Sequence, residues 1–421
     1  MTRCYVIFCF LRLPGKLACL LLCLAMLGGP ARSASIDGQF RQWLENDLWP
    51  EAASKGISQA TFEAAFDGVT PNLKLPDLIL PGEKVAVERD QRQAEFRAPA
   101  AYFAENIVGA VVSGGKRRLA ENAATLARIE RETGVPGRII VAIWGRESAF
   151  GTAKLPHDAF QVLATKAWLA TRKDYFRDEV LAALEMVERH GARPRGLKGS
   201  WAGALGQPQF MPSSFLAHAR DGDGDGKADI WQSEADTLAS IGGYLADRKW
   251  QRGRDWGFEV SVPESLSCKL EGPDQGRKIS QWAAAGVKRT NGKPFPAGEA
   301  GKIGYLLFPA GRHGPAFVVT PNFYVLKEYN ESDLYALFVG HAGDRMQYGS
   351  RPFTAPWGRV DSLLRSDIAR MQRGLEALGY DVGGADGLPG FRTRRSIGDW
   401  QEKHGMKPTC FPSRELVDRF Q

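Results

Sequence analysis

Cysteine is scarce: six in 421 residues, and four of them, Cys4, Cys9, Cys19 and Cys23, crowd into the first 33. Cys268 and Cys410 remain. Two lone cysteines can pair in an oxidising compartment, which would staple two distant segments together; a count is not a geometry, and the pairing stays open. The six histidines show no metal-ligand spacing. No zinc-protease helix, no nucleophile elbow and no glycine loop that cradles phosphate is present, which removes the commonest hydrolase and nucleotide-binding chemistries. Long hydrophobic runs are missing too. The longest candidate, Leu17–Leu27, has about 11 residues against the roughly 20 that a membrane helix needs. Strong charge is absent. The formal charge is +7, and Arg3, Arg12, Lys16 and Arg32, with no acid among them, take four of the seven, leaving +3 for the rest. That suits an anionic polymer but lacks the concentrated basic patch of a nucleic-acid binder.

What is there is ordinary globular composition, 43% hydrophobic and 24% charged, enough for two or three domains. Residues 1–33 read as a secretory signal peptide: basic residues, an apolar run, then small residues at Ala31–Ser35. A lipid anchor is not read. Cys19 opens the apolar run, and Cys23 follows leucines where a small residue is usual.

Along the chain, Ile36–Leu48 reads as a helix, and Ser58 caps a second one through Phe62. Residues 68–86, with Pro71, Pro76 and Pro81, read as an extended connector. A helical block runs from Pro99 to Arg131, broken at Ser113-Gly114-Gly115, with Lys116-Arg-Arg118 as a solvated face. Further helices are expected over Phe160–Arg172, Asp174–Glu188, Asp236–Trp250 and Asp333–Gly340. Between them, Phe258–Val262, Tyr305–Phe308 and Ala316–Val319 suggest a small sheet. Residues 351–362 read as a linker. The tail, 363–421, reads as three short helices opened by Ser366, Thr393 and Ser413, the first with Ile368, Met371, Leu375 and Leu378 on one face.

The chemistry concentrates at Val141–Gly151. Ile139, Ile140, Val141, Ile143 and Trp144 form a run for a helix buried on most sides, with Pro136 suiting its start. Glu147 falls on the face of Ile139 and Ile143. A carboxylate in apolar surroundings either finds a partner, here Arg146, or keeps its proton, and a Glu protonated near neutral pH is what a general acid in glycoside cleavage needs. No second carboxylate pairs with it: Asp158 and Asp174 are the nearest downstream. Glu147 would then serve as acid and base in turn, with the nucleophile supplied by the substrate.

Gly145-Arg-Glu147-Ser148-Ala-Phe-Gly151 resembles the Glu-Ser signature of lytic transglycosylases and goose-type lysozymes. Gly199–Ser214, reading GSWAGALGQPQFMPSS, resembles the second signature of the lytic murein transglycosylase B family, and Tyr329–Ala336, reading YNESDLYA, its third. The order is the family's own, and the likeness covers roughly 36–350. It implies a mainly α protein: a lysozyme-like α-helical catalytic core over 34–350 with a small β-containing insertion. It implies cleavage of the MurNAc–GlcNAc β-1,4 bond of peptidoglycan by Glu147, with closure of the MurNAc C6 hydroxyl onto C1 to give 1,6-anhydro ends. Ser148, Ser200, Gln209, Phe210, Tyr329, Asn330 and Tyr335 match positions that contact substrate in the cleft. Core packing remains the alternative for Phe210 and Tyr335, and helix capping for Ser200 and Asn330.

Asp221-Gly-Asp223-Gly-Asp225-Gly226-Lys227-Ala-Asp229 has the alternating carboxylates of an EF-hand-like calcium loop, with a backbone carbonyl at Lys227. Position 12 is Gln232 rather than Glu, so Asp236 is expected to close the loop over 221–236 and the calcium to be structural. The tail resembles a three-helix peptidoglycan-binding domain through Leu375–Tyr380, Ala385-Asp386-Gly387 and Gly390–Arg394. The expectation is a periplasmic enzyme acting on glycan strands, without nucleic acid and without a stable membrane anchor. A hydrolytic muramidase, a non-catalytic wall-binding protein and a calcium-stabilised structural protein are the rivals.

Overall fold

The computed structural model describes residues 35–83, 99–349 and 351–420, so the signal-peptide segment and part of the 68–86 connector lie outside the described residues. The helix Gly137–Ser148 runs through the middle of the larger body. Its residues 137–145 are all buried, with Ile139, Ile140, Val141, Ile143 and Trp144 wholly so. Full burial of one such side chain is worth about 1.5–3 kcal/mol, which fixes this helix before any polar contact is counted. Around it pack Glu105–Glu121, Ala123–Thr133, Glu234–Asp247 and Asp333–Tyr348. Gly134 ends the preceding helix in the left-handed conformation (φ 77°), and Pro136 stands at the N-cap of the central one.

The expected break at Gly114-Gly115 does not occur. The block breaks instead at Phe103-Ala104 and at Asn122, and the helix between runs unbroken from Glu105 to Glu121. Close packing is the reason for the two glycines. A Cβ on Gly114 would lie 2.5 Å from the Phe150 ring, and one on Gly115 would lie 2.4 Å from Met346. Arg118 is not on a solvated face either: its guanidinium lies 5.4 Å from the Trp144 ring centroid and pairs with Glu234 at 3.1 Å.

The first helix also differs from its reading. Ile36–Trp43 widens into a π-turn over Leu44–Leu48 and resumes as Trp49–Ser54. The widened turn comes just before Pro50, whose nitrogen has no proton to return to the preceding turn. Ser58 caps Gln59–Phe66 by accepting from Thr61 N–H.

The insertion is a five-stranded antiparallel sheet in the order Arg277–Lys278, Ile303–Leu307, Ala316–Val319, Gly257–Ser261, Lys288–Arg289. The three predicted strands are its centre. The two edges are dipeptides of basic residues, too short to show in the sequence and charged as edges tend to be. Phe258, Val260, Ile279, Trp282, Leu306, Phe308 and Val318 form the insertion's own core, together with Cys268 and Cys410, which are disulfide-bonded with Cα atoms 6.2 Å apart.

The tail helices are Arg365–Ala377, Phe391–Lys403 and Arg414–Asp418. Two caps differ from expectation. Ser366 lies inside the first helix, whose start is held by the Asp367 carboxylate accepting from Leu364 N–H. Thr393 is buried in the first turn of the second and donates to Val382 O. Ser413 does cap the third. Leu378 leaves the apolar face, because the first helix ends at Ala377, and is 59% exposed. The 351–362 segment is packed down: Phe353 stacks on His341 at 4.0 Å and Trp357 on Phe103 at 5.1 Å. Among the described residues no helix is long and apolar enough to cross a membrane.

Candidate active site

Glu147 occupies the last turn of the central helix, half-buried, and its Oε1 accepts from the Tyr335 hydroxyl at 2.5 Å. Burial pushes its carboxyl up from the ordinary 4.5 to about 7, against the opposing influences of the Tyr335 hydrogen bond and the Arg146 charge. The local ion pair with Arg146 is not formed. That guanidinium is held instead over the rings of Tyr102 and Phe338, 4.6 and 4.9 Å from their centroids.

Beyond Glu147 the chain makes a strained turn. Ala149, Phe150 and Gly151 have φ of 49°, 60° and 79°, a conformation that non-glycine residues adopt only when the surroundings impose it. Here the surroundings are explicit. Phe150 packs edge-on to Trp144 at 5.4 Å, in a slot that exists because positions 114 and 145 have no Cβ; one on Gly145 would meet Phe150 at 2.6 Å. Ser148, only 2% exposed, accepts from Gly151 N–H at 3.1 Å and donates to Trp144 O. In this structure the Ser148 hydroxyl, expected in the cleft, faces inward and ties the turn to the helix.

The glycine-rich segment lies against this turn. Gln207 is buried, accepts from the Trp144 indole N–H at 2.7 Å and donates to Trp231 O at 3.1 Å, while its own N–H donates to Ile230 O. It joins the helix of Glu147 to the end of the aspartate loop. The sequence reading passed over Gln207. Its one signal is that a buried Trp needs an acceptor. Gln209, at φ 55°, donates to Gly206 O, and Ser200 Oγ accepts from Ala202 and Ala204 N–H. Both are half-buried and brace their own loop.

Phe210 is buried against Tyr244 and Tyr329, with ring centroids 5.6 and 6.0 Å apart. The Tyr329 hydroxyl donates to Pro208 O at 2.7 Å, and its ring lies parallel to that of Tyr335 at 6.3 Å. Burial pushes both phenols well above their ordinary range, so each remains a donor. Glu147, Tyr335, Tyr329 and Phe210 thus form one continuous group, to which the structure adds Tyr244. Asn330 is exposed at the end of the Pro321–Tyr329 helix, and the hydrogen bonds and ring contacts that join the group do not involve its side chain. Two concavities, of about 520 and 880 Å³, lie elsewhere, and no predicted site residue lines either.

In the aspartate loop, oxygens of Asp221, Asp223 and Asp236 all lie within 4.8 Å of one another. Asp221 accepts from Gly224 and Gly226 N–H, which hold its carboxyl below the usual range. Ser233 caps the Glu234–Asp247 helix and so turns the buried Asp236 back under the loop, where it accepts from Gly222 and Asp229 N–H, each at 2.7 Å. Asp225 accepts from Lys227 N–H, and Asp229 from Trp231 and Gln232 N–H, so neither carboxylate joins the three that converge.

The transglycosylase SLT domain matches residues 39–344, and a peptidoglycan binding domain matches residues 365–419. The chain is 32% identical over 216 residues to membrane-bound lytic murein transglycosylase B of Escherichia coli (strain K12), a match covering 50% of this chain and 56% of that protein. It therefore spans little more than half the length of that relative. The crystal structure of SltB3 from Pseudomonas aeruginosa in complex with NAG-NAM-pentapeptide superposes with a TM-score of 0.81 at 36% identity, covering 91% of this chain and 99% of that one. SltB3 with NAG-anhNAM-pentapeptide gives 0.79 at 35%, covering 90% and 99%. Escherichia coli Slt35 in complex with calcium gives 0.52 at 25%, covering 77% and 96%. The matched SLT domain is built around the helix of Glu147, and the chain belongs to the SLT-domain family of lytic transglycosylases.

Proposed function

We propose that this protein cleaves the MurNAc–GlcNAc β-1,4 bond of peptidoglycan with formation of 1,6-anhydro-MurNAc ends, and that Glu147 is its single acid and base. The observation that carries this is one proton-retaining carboxylate with Tyr335 on it. Among the described residues, the groups found acting on Glu147 are Tyr335, Arg146 and Tyr329, none of them a carboxylate. That favours a single acid and base over the paired carboxylates of ordinary hydrolysis. Protonated Glu147 donates to the glycosidic oxygen, and the C1–O bond breaks. The C6 hydroxyl of the same MurNAc then bonds to C1 and gives its proton to the Glu147 carboxylate, which restores the acid. Water does not enter, and the internal nucleophile has a high effective concentration. The Tyr335 hydroxyl steadies the ionised carboxylate between the two proton transfers, since a hydrogen bond to the charged form favours it.

The same reading gives the rest of the chain its place. The C-terminal domain holds glycan strands of the wall. The Asp221 loop holds calcium: three converging carboxylates, one of them buried, are hard oxygen donors of the kind calcium takes. Asp221, Asp223 and Asp236 are the ligands the geometry supports, with Asp225 and Asp229 needing to turn inward and the Lys227 carbonyl as a further donor. Calcium there supplies charge neutralisation and a fixed loop. Residues 1–33 direct export to the periplasm, where the substrate lies and where Cys268–Cys410 can stay oxidised.

Mass spectrometry of soluble products from purified peptidoglycan tests the reaction. Wild type should release products one water lighter than ordinary muropeptides, and Glu147→Gln none. Ordinary reducing ends from the wild type would make this a muramidase.

A further inference from the structure

The C-terminal domain is fastened to the catalytic body through a buried charge cluster that reaches the active-site helix. Arg394, on the Phe391–Lys403 helix, is 3% exposed and grips both oxygens of Glu271 in the insertion at 2.8 and 2.9 Å; Glu271 has no exposed surface. The same guanidinium donates to Asp333 Oδ2 at 2.9 Å. Asp333 Oδ1 receives Lys327 at 2.7 Å. Two acids and two bases are thereby balanced, Arg394 and Glu271 fully buried and Asp333 and Lys327 partly so. Burial pushes the Asp333 carboxyl up, but Lys327 and Arg394 overcome it and hold it at about 2. Around the cluster, the Cys268–Cys410 disulfide, Arg395 with Asp274 and Lys269 with Asp399 and Glu402 cross the same boundary.

Asp333 is the first residue of the Asp333–Tyr348 helix. Tyr335 stands two residues on, in the same first turn, its N–H accepted by the Ser332 cap. A line of contacts therefore runs from the C-terminal domain to the catalytic carboxylate: Arg394 to Asp333, through one helical turn to Tyr335, and from Tyr335 to Glu147. We propose that Arg394 is a positioning residue for the reaction, fixing the first turn of this helix through Asp333 and so the Tyr335–Glu147 hydrogen bond. The C-terminal domain then completes the active site as well as holding the wall. The inference rests on Glu147 being the acid and base.

The test uses the full chain and a soluble GlcNAc-MurNAc tetrasaccharide, with kcat, KM, the pH–rate profile and melting temperature measured together. Glu147 is faced by Arg146 from its own helix, by Tyr335 and by Tyr329, so loosening Tyr335 removes a hydrogen bond that favours the ionised form. Arg394→Gln and Asp333→Asn should lower kcat on the order of tenfold to a hundredfold, the scale of an ångström's misplacement, with KM little changed and the alkaline limb moved to higher pH. Arg394→Lys should restore part of both. Asp274→Asn, which removes only Arg395's partner across the boundary, should leave kcat and the limb in place. If Arg394→Gln does not fold, Lys327→Met removes the other partner of Asp333 and is read in the same way. A lower melting temperature with kcat and limb unchanged in these variants would reduce the cluster to a structural bolt and overturn the inference. Ordinary reducing ends from the wild type would instead overturn the reading of Glu147 itself.

Discussion

Tyr335 and Glu147 are 188 residues apart in sequence, and the Tyr335 hydroxyl donates to the Glu147 carboxylate at 2.5 Å. The bond opposes the effect of burial. Burial alone would leave Glu147 a weak acid that gives up its proton reluctantly. A hydrogen bond to the ionised form lowers that proton affinity and returns some acid strength, and a residue that must do both tasks in one turnover needs a proton affinity near the working pH.

Glu147 with a carboxyl raised to about 7 predicts how activity and stability follow pH. The protonated form starts the reaction, so kcat/KM should fall as pH rises through about 7. For stability, the folded state keeps a proton that the unfolded state loses above its ordinary 4.5. The Glu147 contribution therefore declines as pH rises from there through about 7 and stays low beyond. Glu147→Gln removes the dependence. Its gain in melting temperature over wild type should be larger at pH 8 than at pH 5, and an equal gain at both would contradict the raised carboxyl.

Tyr335→Phe removes the opposing bond and leaves burial. The alkaline limb should move to higher pH, and kcat should drop by about 10²-fold, the low end of what one acid–base element contributes. A limb that stays in place would show that Tyr335 does not act on Glu147 in solution.

The central helix was legible because its apolar run is too continuous for a surface helix, and Glu147 because a carboxylate on that face needs an explanation. The aromatic group around it was legible only through likeness to a family, since no periodicity links Tyr335 to Glu147. Gly114-Gly115 misled because glycine reads locally as a breaker, whereas its use here is contact with Phe150 and Met346, residues distant in sequence. Ser366 and Thr393 misled for a similar reason: both can cap, but Asp367 and the buried Val382 carbonyl decided otherwise. Ser148 was found by motif, but its inward direction was not, because a motif records that a hydroxyl is needed and not which way it points.

Gly145→Ala tests the slot. The new methyl would stand 2.6 Å from Phe150 and 3.0 Å from Val111. Overpacking of this kind costs about 1–3 kcal/mol, read as a lower denaturant midpoint. Because Phe150 belongs to the strained turn after Glu147, activity should fall further than the unfolded fraction explains. Activity that merely tracks the folded fraction would mean the turn does not set the Glu147 geometry.

Gln207→Leu removes the acceptor of a buried indole N–H and the donor to Trp231 O. Leaving such groups unpaired costs about 1–3 kcal/mol each, so the melting temperature should drop clearly, although Leu has similar bulk. An unchanged melting temperature would mean that water replaces both contacts.

Removal of calcium is the last test, and its outcome follows from where the carboxylates stand. Asp221, Asp223 and Asp236 lie within 4.8 Å of one another, and three negative charges at that distance repel unless a cation joins them. A cation that binds only the folded loop adds stability in proportion to the logarithm of its excess over the dissociation constant. A chelator should therefore lower the melting temperature, and calcium should restore it better than magnesium, which demands tighter octahedral geometry than a flexible loop provides. Asp236→Asn should abolish the calcium response, because its carboxylate lies buried beneath the loop. Asp225→Asn should weaken it less, since that carboxylate stands outside the converging group. Gln207 links the loop's end to the helix of Glu147, but through backbone carbonyls of Ile230 and Trp231 rather than through the aspartates. Calcium-free protein held well below its melting temperature should thus keep most of its activity. A melting temperature indifferent to chelator and calcium alike would make the loop a solvated acidic turn.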